Sequence, residues 1–324
     1  MEIQGFSRAT VCLRRHKTRT VRLVALMSTQ VDNQKEKTRT SNPGPFGSGP
    51  FSSSLFSFAD TSGIITAMEF PWSKSQHRRE LLASPFPAGW QRILVANVPA
   101  YSRLPEAQQQ ALRDTTWILV AEKNWEGASG LTLTDEIKVT VAGHAARLVL
   151  GFEREYFPNV ETIIVYPQGF LVTTRRVETR GVFAEQVLAA SGQAAQQGPV
   201  IVSWADVRDN LAAQDGQNVV LHEFAHKLDM RDGAADGAPY LDTNAQIEAW
   251  SRVMSAEYQA LVERTQAGHR DVLNPYGATN AAEFFAVVTE SFFESARELL
   301  GGHPELYAVL KDFYKQDPAG LRVG

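Results

Sequence analysis

Apolar residues recur with helical spacing over much of the chain beyond residue 100. Leu104 to Lys123 carries one such run, with Pro105 suited to a first turn. Thr134-Asp135-Glu136 opens another, continued by Val139, Val141, Ala145, Leu148 and Val149. Ala245 to Thr265, Ala281 to Leu299 and Glu305 to Tyr314 read as further helices, and Asp206 to Ala212 as a short one. Between them lie β-branched stretches. Val160 to Tyr166 predicts a strand, Pro167-Gln168-Gly169 turns into a second from Phe170 to Thr174, and Pro199 to Trp204 predicts a third. No internal repeat interrupts the pattern. The expected class is a helix-rich mixed α/β (α+β) fold with a small sheet.

One more stripe, at positions 220, 221, 224, 225 and 228, predicts a largely buried helix. It starts near Asp215-Gly216 and ends before the turn signal Asp232-Gly233. Either Pro199 to Trp204 or Phe170 to Thr174 offers an edge on which an extended peptide can pair. Plain sheet core is the competing role for both.

Charge divides the chain unevenly. Residues 1–67 hold nine Lys and Arg against four Asp and Glu, whereas the rest hold 23 against 32, within a formal net charge of −4. Ser41 to Ser57 is mostly Ser, Gly, Pro and Phe without periodicity. Residues 1–67 are therefore expected to be an unstructured extension, or the product of an upstream start codon. Met68-Glu69-Phe70-Pro71-Trp72 is the expected beginning of a single folded domain over 68–324. About 250 residues suffice for one sizeable core. The first thirty residues superficially suit a transit peptide, but no adequate apolar core supports a secretory signal. No run approaches the roughly eighteen apolar residues of a membrane span. The single cysteine, Cys12, excludes an internal disulfide and fits a reducing, cytoplasmic compartment. The acidic balance of residues 68–324 argues against direct nucleic-acid binding.

The buried stripe carries His222-Glu223-Phe224-Ala225-His226, a match to the H-E-x-x-H pattern. Two histidines four positions apart lie about 40° apart around a helix, so both imidazoles reach one ion. Zinc needs a third protein ligand and an open position for water. Glu223, on an adjacent face, is placed to act as general base on that water. A half-buried helix with two solvated histidines is the competing reading. The pattern in which a Gly and a third His follow closely fails, because Asp229 and Asp232 occupy those positions.

A downstream Glu is the other common third ligand, and Glu248, Glu257, Glu263, Glu283, Glu290, Glu294 and Glu298 are available. Glu283 is favoured. It follows the turn Pro275-Tyr276-Gly277, close to a helix start that Thr279 or Asn280 can cap. A carboxylate among Ala, Phe and Val is costly unless paired or metal-bound. A capping box with Asn280 is the alternative use of Glu283. Asp229 and Glu290 compete as carboxylates that orient the ligating histidines. The Asp that follows the ligand Glu by four residues in thermolysin-type enzymes is Val287 here. His144 is expected to be packed, and His77, His269 and His303 solvated.

HEFAHKLDMRDG together with NPYGATNAAEFFAVVTESFFE resembles the family of Mlc titration factor A, bacterial zinc metallopeptidases. Their catalytic domain is related in fold to the zinc domain of lethal-factor toxins. The resemblance spans roughly residues 70 to 318. It implies a zincin-like domain with the sheet beside the H-E-x-x-H helix. It also implies one zinc ion held by His222, His226 and Glu283, Glu223 as general base and Tyr276 as an active-site phenol. A turn-packing aromatic is the competing reading of Tyr276. The implied activity is aminopeptidase-like, on peptides or other small substrates, in the cytoplasm. The implied partner is a glucose-responsive transcriptional repressor, if the host has one. Two rival readings remain: a regulatory protein that sequesters such a repressor with hydrolysis minor, and a non-peptide zinc hydrolase.

Overall fold

The computed structural model describes residues 71–321, apart from 154, 179–181, 191, 195–197 and 214. It also describes two short strands, β1 (Arg14–Arg15) and β2 (Val21–Arg22), paired antiparallel. Apart from these four residues, the expectation of an unstructured 1–67 and of a start near Met68 falls outside the described residues.

Two helices that the sequence pattern does not reveal come first, α1 (Pro71–Leu82) and α2 (Ala88–Asn97). The run opened by Pro105 becomes α3 (Glu106–Glu122), leading into a short strand, β3 (Asn124–Gly127). Thr134 caps α4 (Asp135–Leu148), its hydroxyl accepting the Ile137 N–H. Then follow β4 (Thr162–Tyr166), the longer-than-expected β5 (Phe170–Glu178), β6 (Val182–Ala190), β7 (Gly192–Ala194) and β8 (Val200–Ser203). The C-terminal half is helical: α5 (Trp204–Ala213), α6 (Val219–Asp229), α7 (Asn244–Gln266), α8 (Ala281–Glu294), α9 (Ala296–Gly302) and α10 (Pro304–Tyr314).

The expected class stands: a helix-rich α+β fold around a small sheet. The sheet order is β3-β4-β8-β7, with the first three strands parallel and β7 antiparallel to β8. Helix α4 supplies the crossover that a parallel β3–β4 pair requires. In β4 the side chains alternate, Ile163 and Val165 being fully buried. Strands β5 and β6 form a separate antiparallel ribbon.

This topology corrects one expectation. β8, offered as an edge for extended peptide, is hydrogen-bonded on both sides, by β4 and by β7. Its ladder is closed, and with Val200, Val202 and Ser203 buried it is sheet core. The other candidate, Phe170 to Thr174, is the first part of the β5–β6 ribbon.

Two helix boundaries also differ. Helix α6 begins at Val219, three residues later than Gly216, because Asn218 ends the preceding turn as the N-cap: its side chain accepts the Leu221 N–H at 3.1 Å. Gly216 itself is left-handed, at φ 88°. The helix expected over 281–299 breaks at Ser295 into α8 and α9. At that point the Arg147 guanidinium takes the Phe293 carbonyl at 3.2 Å and the Glu294 carboxylate at 2.7 Å. A buried cation thus occupies backbone and side-chain acceptors at the end of α8.

Helix α6 lies against α8, α4 and the β7–β8 side of the sheet. Val220, Leu221, Phe224, Ala225 and Leu228 are all buried. Phe224 meets Phe157 edge-on, their ring centroids 4.7 Å apart. The apolar stripe therefore holds one face of α6 in the core and leaves the histidines on the opposite flank, facing α8.

Candidate metal centre

His222 and His226 occupy successive turns of α6, and Glu283 lies in the first turn of α8. The Asn280 side chain accepts the Glu283 backbone N–H at 3.0 Å. The Glu283 carboxylate does not complete a capping box. It reaches across to α6, placing Oε2 at 3.0 Å from His222 Nε2 and 3.4 Å from His226 Nε2. The two ring nitrogens are 3.3 Å apart. The helix start thus uses the backbone of Glu283 for the cap and frees its side chain.

These three atoms form a near-equilateral triangle. Ligands about 2.0–2.1 Å from a tetrahedral ion are separated by about 3.3 Å, so the edges match a tetrahedral face. The donor set, two imidazoles and a carboxylate, suits zinc and other divalent ions. Two facing imidazole lone pairs beside a carboxylate oxygen also require a positive charge between them, a proton or a metal. On both counts the residues fit a metal ion. Among the described residues, these three form the one group of His, Cys, Asp or Glu close enough to share one.

The other glutamates are elsewhere. Glu257 binds His303, Glu294 binds Arg147, and Glu248, Glu263 and Glu298 are exposed. Glu290 takes a distinct place, one oxygen 2.7 Å from His222 Nδ1 and the other accepting the Asn218 N–H at 2.6 Å. It fixes the His222 ring and the start of α6 together. Asp229 lies at the end of α6, fully buried, and accepts the Gly237 N–H at 3.0 Å.

Electrostatics follow from burial. Burial opposes charge on the His222 imidazole, but the Glu283 and Glu290 carboxylates outweigh it and hold the ring pKa up, at about 10. Burial likewise opposes charge on Glu283, but hydrogen bonds from both histidines prevail and take it down to about 2. Glu223 has no such partner. It is buried, its Oε2 lacks a hydrogen bond among the described residues, and burial, more than the nearby carboxylates, pushes it up to about 8. A dication between the ligand atoms would act in the opposite sense and favour the carboxylate.

Tyr276 sits in a short 3-10 turn, Pro275–Ala278, before α8. Its N–H is held by the Asn274 side chain at 2.9 Å and its carbonyl by the Thr279 hydroxyl at 2.7 Å. Tyr276 is 54% exposed, and its ring centroid lies 6.0 Å from that of His222. Its phenol pKa is raised, first by burial and then by Glu283 and Glu223.

Asn218 is a site-organising residue that the motif alone does not reveal. Besides capping α6, its amide lies 3.0 Å from His144 Nδ1 and donates to Glu294 at 2.9 Å. His144 is packed, as expected, its Nε2 on the Asn97 carbonyl at 2.8 Å. Burial lowers its pKa to about 4, so it is neutral. An Asn directly ahead of an apolar helical stripe is the signal that marks such a cap. His77 and His269 are exposed, as expected. His303, expected to be solvated, is buried between Glu257 and Asp271, at 2.8 and 2.9 Å. The two carboxylates, both brought by tertiary packing, supply what water would have.

An H-E-x-x-H helix facing a carboxylate from a second helix, beside a small sheet, defines a metallopeptidase-like domain. The chain belongs to the glucose-regulated metallo-peptidase M90 family, which it matches over residues 72–315. It is 36% identical to the uncharacterized protein slr2042 of Synechocystis sp., over 259 residues that make up 79% of this chain and 94% of that one. It is 32% identical to Mlc titration factor A of Serratia proteamaculans over 254 residues, 78% of this chain and 94% of the relative. Identity to Mlc titration factor A of Yersinia pestis is 29% over 250 residues, 76% and 89% of the two chains. The family resemblance carried by the two sequence blocks therefore stands. No helix among the described residues is long and apolar enough to cross a membrane.

Proposed function

We propose that this chain is a zinc-dependent peptidase with aminopeptidase-like activity, acting in the cytoplasm on peptides or other small amide substrates. The observation that carries this reading is the triangle of His222 Nε2, His226 Nε2 and Glu283 Oε2, with edges of 3.0–3.4 Å, beside Glu223, whose Oε2 has no hydrogen-bond partner among the described residues. His222, His226 and Glu283 hold the ion. When bound, it supplies Lewis acidity, polarising a carbonyl and making a water acidic near neutrality.

Glu223 then takes the water's proton on its free Oε2 and passes it to the leaving amine. The charge of a bound ion would hold Glu223 as the carboxylate, the form that accepts this proton. The Tyr276 hydroxyl, held protonated by its surroundings, donates to the oxygen that gains charge as the carbonyl carbon is attacked. Glu290 keeps the His222 ring from turning.

A Glu223→Gln variant tests the reading. It is expected to retain fold and metal and to lose peptide hydrolysis by several orders of magnitude. Hydrolysis at the wild-type rate would refute the role of Glu223. Equal zinc content in the wild type and in His226→Ala would refute the ligand set.

The relatives named Mlc titration factor A favour a second reading, in which the chain binds a glucose-responsive transcriptional repressor and hydrolyses little. Purified chain that captures such a repressor from its own host but cleaves nothing in a broad peptide library would establish that alternative.

A further inference from the structure

The two ligating histidines are supported unequally. His222 Nδ1 rests on Glu290 at 2.7 Å. His226 Nδ1 is buried and has no hydrogen-bond partner among the described residues. A neutral imidazole has a single N–H, so a ring that offers Nε2 to a metal carries its proton on Nδ1. A buried N–H without an acceptor costs about 1–3 kcal/mol. An acceptor for His226 is therefore required if the ring is to ligate.

A second orphan lies one helical turn away. Asp229 is fully buried at the end of α6, and its Oδ1 also lacks a hydrogen-bond partner among the described residues, the nearby Ala238 N–H being given to Asp236 at 3.3 Å. Residues three apart on a helix are neighbours on its surface. The other oxygen, Oδ2, is anchored by the Gly237 N–H at 3.0 Å. Gly237 is itself fixed: its carbonyl accepts the Trp250 Nε1–H at 3.1 Å, and it holds φ 74°. A Cβ there would fall 2.4 Å from the Ala281 carbonyl oxygen. Asp229 is thus braced through Gly237 against the first residue of α8, two positions before Glu283. Glu290 uses both oxygens, on His222 and Asn218, and the Lys227 ammonium only donates.

We propose that Asp229 is the positioning residue for His226, accepting its Nδ1–H on Oδ1 so that Nε2 keeps its lone pair toward the metal. The assignment rests on the zinc-site reading above. The terminal torsions of both side chains are soft, so rotation about them is the motion that would close the bond. It would satisfy two buried polar atoms at once. It would also couple the second histidine to the start of the helix that delivers the third ligand, through Gly237 and Ala281.

Asp229→Asn tests the proposal. Asn keeps the shape and one carbonyl oxygen, which continues to serve the Gly237 N–H. Its amide then faces His226 Nδ1 as a donor and favours the tautomer protonated on Nε2, which does not ligate. Zinc affinity, read by competition with a chelator, is expected to fall about 10- to 100-fold. A residue that merely holds Gly237 would leave that affinity unchanged in Asp229→Asn. The tautomer is read directly by long-range proton–nitrogen correlation of the imidazole rings in the zinc-loaded wild type. His226 is expected to carry a downfield, slowly exchanging Nδ1 proton, absent in the variant.

Zinc affinity of folded Asp229→Asn within threefold of wild type, with the same His226 signal, overturns the proposal. Should the variant fail to fold, the wild type decides: an Nδ1 proton in fast exchange with solvent, or ligation through Nδ1, overturns it equally. A wild type that binds no zinc, or binds as much after His226→Ala, defeats the zinc-site reading itself and the Asp229 role with it.

Discussion

Loading the site with zinc should release protons, and their number follows from the surroundings of two residues. In the metal-free protein His222 is clasped between Glu283 and Glu290, 3.0 and 2.7 Å from its two nitrogens. With its pKa at about 10, the ring is almost fully protonated at pH 7. An unperturbed imidazole, with a pKa of about 6.5, would be only about one-quarter protonated. The ion must displace the proton on Nε2, so His222 alone contributes nearly one. Glu223, pushed up to about 8 by burial, is also mostly protonated at pH 7. A nearby dication drives it to the carboxylate and frees most of a second. The expected release at pH 7 is therefore close to two protons per zinc in the wild type and close to one in Glu223→Gln. Apparent affinity should rise about tenfold per pH unit for each proton released. Calorimetric titration of metal-stripped protein, in buffers of different ionisation enthalpy, counts the protons. Release of half a proton or less by the wild type would refute the clasp around His222. Equal release by the two proteins would refute the protonated, buried Glu223.

Other outcomes follow from the same geometry. Glu290→Gln leaves one acceptor for two donors, His222 Nδ1–H and Asn218 N–H; loss of one charge-assisted bond costs about 1.5–3 kcal/mol, and chelator competition should show zinc affinity reduced by roughly 10- to 100-fold. Tyr276→Phe should lower kcat about 10²- to 10³-fold in a peptide assay while zinc content stays at the wild-type level, and an unchanged kcat would remove the phenol from the mechanism. In the metal-free protein, both His222 and Glu223 have pKa values raised above their ordinary ones. Their preference for the folded state is present at low pH, and it weakens as pH rises, through about 8 for Glu223 and about 10 for His222. The thermal midpoint of stripped protein should therefore fall between pH 6.5 and 8, and the zinc-loaded protein should show a smaller fall.

Helix α6 was legible in the sequence because all it needs is local. The stripe at 220, 221, 224, 225 and 228 sets its buried face, and the spacing of His222 and His226 brings two imidazoles to one side. The cap is equally local, yet Asp215-Gly216 competes with Asn218 as a start, and only the bond from Leu221 to the Asn218 side chain decides between them. Strand β8 read correctly as a strand, but whether it is an edge depends on β7, a three-residue segment with no pattern of its own. Helix α8 read as running on into α9 because nothing near Ser295 marks the break. The cause, Arg147, lies 146 residues away from the Phe293 carbonyl it binds.

The carboxylates divide in the same way. Sequence by itself determined a two-histidine pattern with a glutamate between the proposed ligands and a short list of further glutamates to complete the proposed site. It placed Glu283 and Glu290 two turns apart on one helix face, without saying which atom each would meet. Only the packing of α8 across α6 decided that Glu283 Oε2 faces both Nε2 atoms and that Glu290 holds His222 Nδ1, contacts that span 61 and 68 residues. It also set Asp229 apart, anchored on Gly237 near His226. The physical reason is range. A helix and its faces follow from a few neighbouring residues, whereas the identity of a ligand depends on the relative rotation of two helices, which the whole core determines.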